Sequence, residues 1–269
     1  MCFIGKMSIK NRSEFRKKWH LAIFIVPVLF GILILKYVIH SLGYEVLSLN
    51  ALFTSLIAAN IFLIGFLING VISDYKESEK IPTEMVCSLE VIYGEVYILN
   101  KNKDLKITKE FLILHEDFVK SLNLWFYKKE KTKVMLDKLH DMDNYFAQFE
   151  SLMQANFLSR MKNEQSNLRK MILRVDNIRD LNFIGSAYLA LEVLGVFLII
   201  GLLLLKMNPF YESMFFTLIV SFLIIYMTLL IKDLDNPFDY NEFGEENGTV
   251  VSLKPIQDFT SRIFSKNKK

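Results

Sequence analysis

The sequence predicts an all-α membrane protein: four transmembrane helices, with a cytoplasmic helical block between the second and the third. Three observations carry that reading. Hydrophobic residues make up 52% of 269 positions but gather in four blocks. Each block approaches the roughly twenty residues needed to cross about 30 Å of hydrocarbon as a helix. The basic residues cluster on what would be one side of the membrane.

The blocks are Leu21–Leu42, Ala51–Ile72, Phe183–Leu205 and Met214–Ile231. In hydrocarbon a backbone must satisfy its own hydrogen bonds, so each block is read as a helix. The resulting organisation is a basic N-terminal tail with two spans (1–72), a cytoplasmic helical region (73–182), two further spans (183–231) and a C-terminal tail (232–269).

Orientation follows from the basic residues. Lys6, Lys10, Arg12, Arg16, Lys17 and Lys18 precede the first span. The loop Gly43–Asn50 holds no basic residue, and the loop between the last two spans holds only Lys206. The positive-inside bias then places both termini and the middle region in the cytoplasm, at the plasma membrane. A cleaved signal peptide is disfavoured, because the first run is too long, contains Lys36 and lacks a small-x-small site.

The middle region reads as helical throughout. Met135, Leu139, Met142, Phe146, Phe149 and Met153 recur in steps of four and three, and Leu168, Met171, Val175 and Ile178 repeat the pattern. Such seams serve helix packing, and they are expected to face neighbouring copies as well as the block itself. Pro82-Thr83-Glu84 and Thr108 mark helix starts. Past Asn247-Gly248, Thr249–Leu253 reads as a strand or an extended arm.

The second span carries the candidate site. With about 100° per residue, Ser55, Ala58, Phe66, Asn69 and Ser73 fall within about 40° of Phe62. The stripe is small or polar at both ends and aromatic in the middle, which suits an aqueous path or a packed interface better than lipid. If the helix continues, Lys76 and Lys80 join the stripe and favour anions at the cytoplasmic mouth. The plainer reading keeps Phe62 and Phe66 as packing residues.

Three other features bear on function. Glu192 lies within the third span, where a carboxylate must be paired, protonated or in contact with water. Asn60 faces away from the stripe and is expected to bond a neighbouring helix, and Lys36 is expected to snorkel toward the membrane surface. The histidines (His20, His40, His115, His140) form no catalytic or metal-binding pattern, so no enzyme is expected. Cys2 and Cys87, both on the cytoplasmic side, form no disulfide framework or metal site, and the basic tails require no nucleic acid.

Asn60–Pro82, "NIFLIGFLINGVISDYKESEKIP", resembles the second transmembrane segment of the bestrophin family. The two-plus-two layout is similar too, as is the Asn-Pro-Phe with acidic residues after the fourth span. "LDNPF" (Leu234–Phe238) is closest to the prokaryotic bestrophin-like proteins. The resemblance implies a homo-oligomer, a pentamer, around a central ion pore whose neck is lined by Ala58, Phe62 and Phe66, with Ser55, Asn69, Ser73, Lys76 and Lys80 along its vestibules. An anion (chloride) channel is the expected function, although some prokaryotic relatives pass cations. No cofactor is expected apart from calcium, for which Asp235, Asp239, Glu242 and Glu245 are the candidate ligands. Here Tyr240, Asn241, Phe243 and Gly244 interrupt the acidic run of the calcium-gated members, which favours a solvated turn paired with basic residues. In that turn Phe238 is expected to pack back under the membrane helices. The alternative function is a non-conducting membrane adaptor or sensor whose cytoplasmic helices bind a partner; a transporter is a third, without visible inverted repeats.

Overall fold

The computed structural model describes residues 9–180, 185–240 and 249–266. Among them the helices are α1 (Ile9–Ser41), α2 (Ala51–Ser78), α3 (Ile81–Lys103), α4 (Lys106–Phe126), α5 (Thr132–Phe149), α6 (Ala155–Asp180), α7 (Gly185–Leu204), α8 (Phe210–Asp235) and α9 (Lys254–Lys266). Four of these helical segments are long and apolar enough to cross a membrane. The chain divides into two compact units, Met1–Tyr75 with Asn182–Asp235, and Lys76–Leu181 with Asn236–Lys269.

In the first unit α1 packs on α8, and α7 packs on both. Leu191 of α7 and Ile231 of α8 form one core cluster with Ile64, Leu67 and Val71 of α2. Glycine lets α7 approach closely: a Cβ at Gly201 would stand 2.6 Å from the Phe53 ring, and one at Gly195 would stand 3.0 Å from Ile224. Without a hydrophobic force between helices in lipid, such close contact is what holds a bundle together. The two interhelical loops also meet. Leu47–Ser48 (β1) pairs in parallel with Leu205–Lys206 (β2), a bridge that the two polar loops gave no pattern to predict.

The second unit is built by α3–α6 with α9. Met135, Leu139, Met142, Phe146 and Phe149 are all fully buried, and Phe111 sits 5.7 Å from Phe146 and 5.5 Å from Phe149. The α5 seam therefore closes the unit's own core rather than presenting itself to a neighbouring copy. On α6, Leu168, Ile172 and Val175 are buried, so Ile172 takes the inward place expected of Met171. Ring contact and apolar burial together hold this core.

After α8, Phe238 is fully buried within the second unit, 6.0 Å from Phe126 at the aromatic end of α4. Residues 251–253 form an extended arm and not a strand: Val251 donates its N–H to Pro237 O at 2.9 Å, and Tyr240 Oη donates to Val251 O at 2.7 Å.

His115 supplies a pH dependence. It is fully buried, donates from Nε2 to Leu89 O at 3.1 Å, and burial pushes its pKa down to about 4. Between pH 6.5 and 4 the unfolded chain binds a proton that the folded chain refuses. Stability is therefore present above about pH 6.5 and declines toward pH 4, by up to about 3 kcal/mol. Thermal melting of the purified protein across this range should show the decline, and His115→Gln should flatten its His-dependent part.

Candidate functional site: the second apolar helix

Helix α2 begins at Ala51, where Asn50 caps it by accepting the Phe53 N–H at 2.8 Å. It runs without a break to Ser78. Asn60, Ile64, Leu67 and Val71 on this helix are buried. They lie within about 40° of one direction on the helical wheel. The stripe Ser55, Ala58, Phe62, Phe66, Asn69, Ser73 and Lys76 points the opposite way, and every one of its residues is exposed. Phe62 is 75% and Phe66 69% exposed, so neither packs into the core of its own chain.

Within the single chain the stripe's phenylalanines make no core contact of the kind that Ile64 and Leu67 make. Lipid remains an acceptable neighbour for the phenylalanines, but not for Asn69, whose amide would lose its hydrogen bonds in hydrocarbon. Ser55 meets that demand locally by donating to Leu52 O at 2.8 Å. One face that is wet at both ends and aromatic between them is suited to a water-filled axis with an apolar constriction.

Lys80 departs from the expectation. It lies in the turn between α2 and α3, because α2 stops at Ser78 before the proline-containing first turn of α3. Lys76 is on the last turn of α2 and keeps its place on the stripe.

The two intramembrane polar residues are placed differently from one another. Asn60 is 1% exposed, but its side-chain oxygen and nitrogen have no hydrogen-bond partner among the described residues. Glu192 pairs with Lys232 of α8, a cation 40 positions further along the chain. Pairing is one of the three states the sequence allows for Glu192.

Lys36 overturns an expectation outright. It does not snorkel: its side chain is fully buried, and Nζ donates to Glu45 Oε1 at 2.6 Å and to the carbonyls of Leu203 and Leu205. Those oxygens lie at the C-terminal end of α7, where unpaired carbonyls and the helix dipole favour a cation. His40 Nδ1 stands 2.8 Å from Glu45 Oε2, and its ring stacks on Phe210 at 3.8 Å. Burial alone would raise the pKa of Glu45, but hydrogen bonds from Lys36 and His40 hold it below the ordinary value. The available signal was Glu45 itself, the one acid in its loop, nine positions after an intramembrane lysine.

Of the candidate calcium ligands, Glu242 and Glu245 lie outside the described residues. Asp239 accepts a hydrogen bond from Lys128 Nζ at 2.7 Å, and Asp235 ends α8. A calcium ion wants six to eight oxygens. Among the described residues no three His, Cys, Asp or Glu side chains stand together as a metal site.

These features define a membrane protein whose apolar helices carry an outward polar–aromatic face. Its fold is the bestrophin fold. A variant of a bacterial bestrophin homologue from Klebsiella pneumoniae matches at a TM-score of 0.75 and 13% identity, covering 91% of this chain and 99% of the other. A second variant matches at 0.74 and 14% with the same coverage. A structure described as a membrane protein matches at 0.73 and 12%, again over 91% and 99%. No family model and no curated protein matches the sequence.

Proposed function

We propose that the chain is a bestrophin-like ion channel, assembling as a homo-oligomer, a pentamer, with α2 around a central pore. The observation that carries this is the exposure of the whole Ser55–Lys76 stripe directly opposite the buried face of α2. Ala58, Phe62 and Phe66 form the neck. Ser55 lines the vestibule at one end, and Asn69, Ser73 and Lys76 line the other. Lys80, beyond the end of α2, adds charge near the mouth.

Both termini and the helical region lie in the cytoplasm, so Lys76 stands at the cytoplasmic mouth. A ring of ammonium groups there raises the local anion concentration. Chloride is accordingly the favoured ion. The Glu192–Lys232 pair neutralises a charge within the span and has no part in conduction.

The test is current through the purified protein in a planar bilayer under a KCl gradient. A reversal potential near the chloride value supports the anion pore, and one near potassium's reverses the role given to Lys76. No current from a reconstituted homogeneous oligomer would favour the adaptor reading. The Asp239–Lys128 contact supports docking of the acidic turn instead of calcium binding. Chelating calcium should leave the current unchanged, and Asp239→Ala should cost less than about 1 kcal/mol of stability, as exposed ion pairs do.

A further inference from the structure

Helix α1 continues well below its apolar run. It is unbroken from Ile9 to Ser41, whereas the span begins at Leu21. At 1.5 Å per residue, about 50 Å of helix meets about 30 Å of hydrocarbon, and the surplus lies at the N-terminal end. That extension, Ile9–His20, holds Lys10, Arg12, Arg16, Lys17 and Lys18 against a single acid, Glu14.

Topology accounts for the number of these cations, because the positive-inside bias counts charges. It does not account for their side of the helix. Ile25, Leu29 and Lys36 are buried and share one direction on the helical wheel. Ile23, Phe24, Phe30, Ile34 and Tyr37 are exposed and lie within about 80° of the opposite direction. Carried down the same helix, this register puts the positions of Arg12, Arg16, Lys17 and Trp19 inside that outward arc. Glu14 and Lys18 fall on the side of the buried positions. The face that α1 leaves uncovered through its span thus continues below Leu21 as three cations and an indole, without the acid.

Depth agrees with register. Trp19 is two residues from Leu21, and indoles gather at the edge of the hydrocarbon. Arg16 and Lys17 follow about 6–8 Å below Leu21, and the headgroup layer is about 5–8 Å deep.

We propose that this face of α1 binds the headgroups of anionic phospholipids. Arg12, Arg16 and Lys17 are the phosphate-recognising positions, and Trp19 is the interfacial anchor. A guanidinium suits phosphate because it can engage two oxygens at once. The site requires α1 to cross the membrane but requires no pore, so it stands or falls separately from conduction.

The test is tryptophan fluorescence of the full chain in phosphatidylcholine vesicles, with brominated lipids as contact quenchers. Trp19→Phe supplies the background from Trp125, the other tryptophan. Brominated phosphatidylglycerol is compared with brominated phosphatidylcholine at the same low mole fraction. Trp19 should be quenched several-fold more strongly by the anionic lipid, since one basic residue near a charged surface supplies about a fivefold preference. Arg12→Lys with Arg16→Lys should keep that preference, and so should Lys18→Gln. Arg12→Gln, Arg16→Gln and Lys17→Gln together should abolish it. The parent comparison decides the matter by itself if the triple variant does not fold. Equal quenching of the parent by the two lipids overturns the site, as does a preference that survives the triple variant. Quenching by neither lipid would mean that protein covers the face, and overturns it too. Loss of the preference in Lys18→Gln would overturn the assignment to this face.

Discussion

Replacing Phe62 and Phe66 together by alanine is expected to raise single-channel current several-fold and to remove closure of the pore. Both rings stand clear of their own chain, 75% and 69% exposed, one helical turn apart on α2. In an oligomer with this face inward they would form two stacked apolar rings. A narrow apolar ring resists wetting, and its resistance falls steeply as it widens. Each Phe→Ala removes an entire ring, so each single substitution should give part of the increase. Ile64→Ala and Leu67→Ala, on the buried face of the same helix, should lower stability and leave the conductance alone. Unchanged current in the double Phe variant would place the constriction elsewhere.

The largest expected loss of stability follows Lys36→Met. The ammonium is fully buried and satisfies both Glu45 and two carbonyl oxygens at the end of α7. Its removal leaves a buried carboxylate with His40 alone and takes a donor from two carbonyls, of which Leu205 O keeps only Ser213 Oγ at 3.3 Å. Breaking a buried pair from one side costs about 3–5 kcal/mol. The double variant Lys36→Met with Glu45→Gln should recover much of that, since replacing both charges at once is commonly near neutral. Denaturation of the detergent-solubilised protein measures both. The pH dependence has a definite sign. Glu45 is held below its ordinary pKa, so its contribution is present above that ordinary value and is lost as pH falls through the lowered one. An unaffected Lys36→Met variant would mean that the cluster contributes no stability.

What the sequence reveals here depends on range. The four apolar runs are legible because bilayer thickness sets their length, and the α5 seam is legible because helix periodicity is local. The α2 stripe is visible for the same reason. Its exposure is not, because the opposite face is buried by Leu191 and Ile231, far away in sequence. Lys36 was misjudged because its acceptors Leu203 O and Leu205 O lie more than 160 positions away; Glu45, nine positions on, is the one local sign of its buried pairing. The partner of Phe238 is hidden for a similar reason: the proline turn shows that the chain changes direction, but the ring that receives it belongs to α4. Seams that recur at four and three also cannot say whether their partner is within the same chain. Burial of Met135–Phe149 answers that for α5.

Cysteine accessibility along α2 tests the central claim most directly. Cys2 and Cys87 are first replaced by serine, and Phe62→Cys, Asn69→Cys, Ile64→Cys and Leu67→Cys are introduced singly. Each protein is treated with a charged, water-soluble thiol reagent while current is recorded. The account predicts that modification at 62 and 69 changes the current promptly and that positions 64 and 67 do not respond. Equal responses on both faces, or none at 62 and 69, would contradict a pore lined by this stripe.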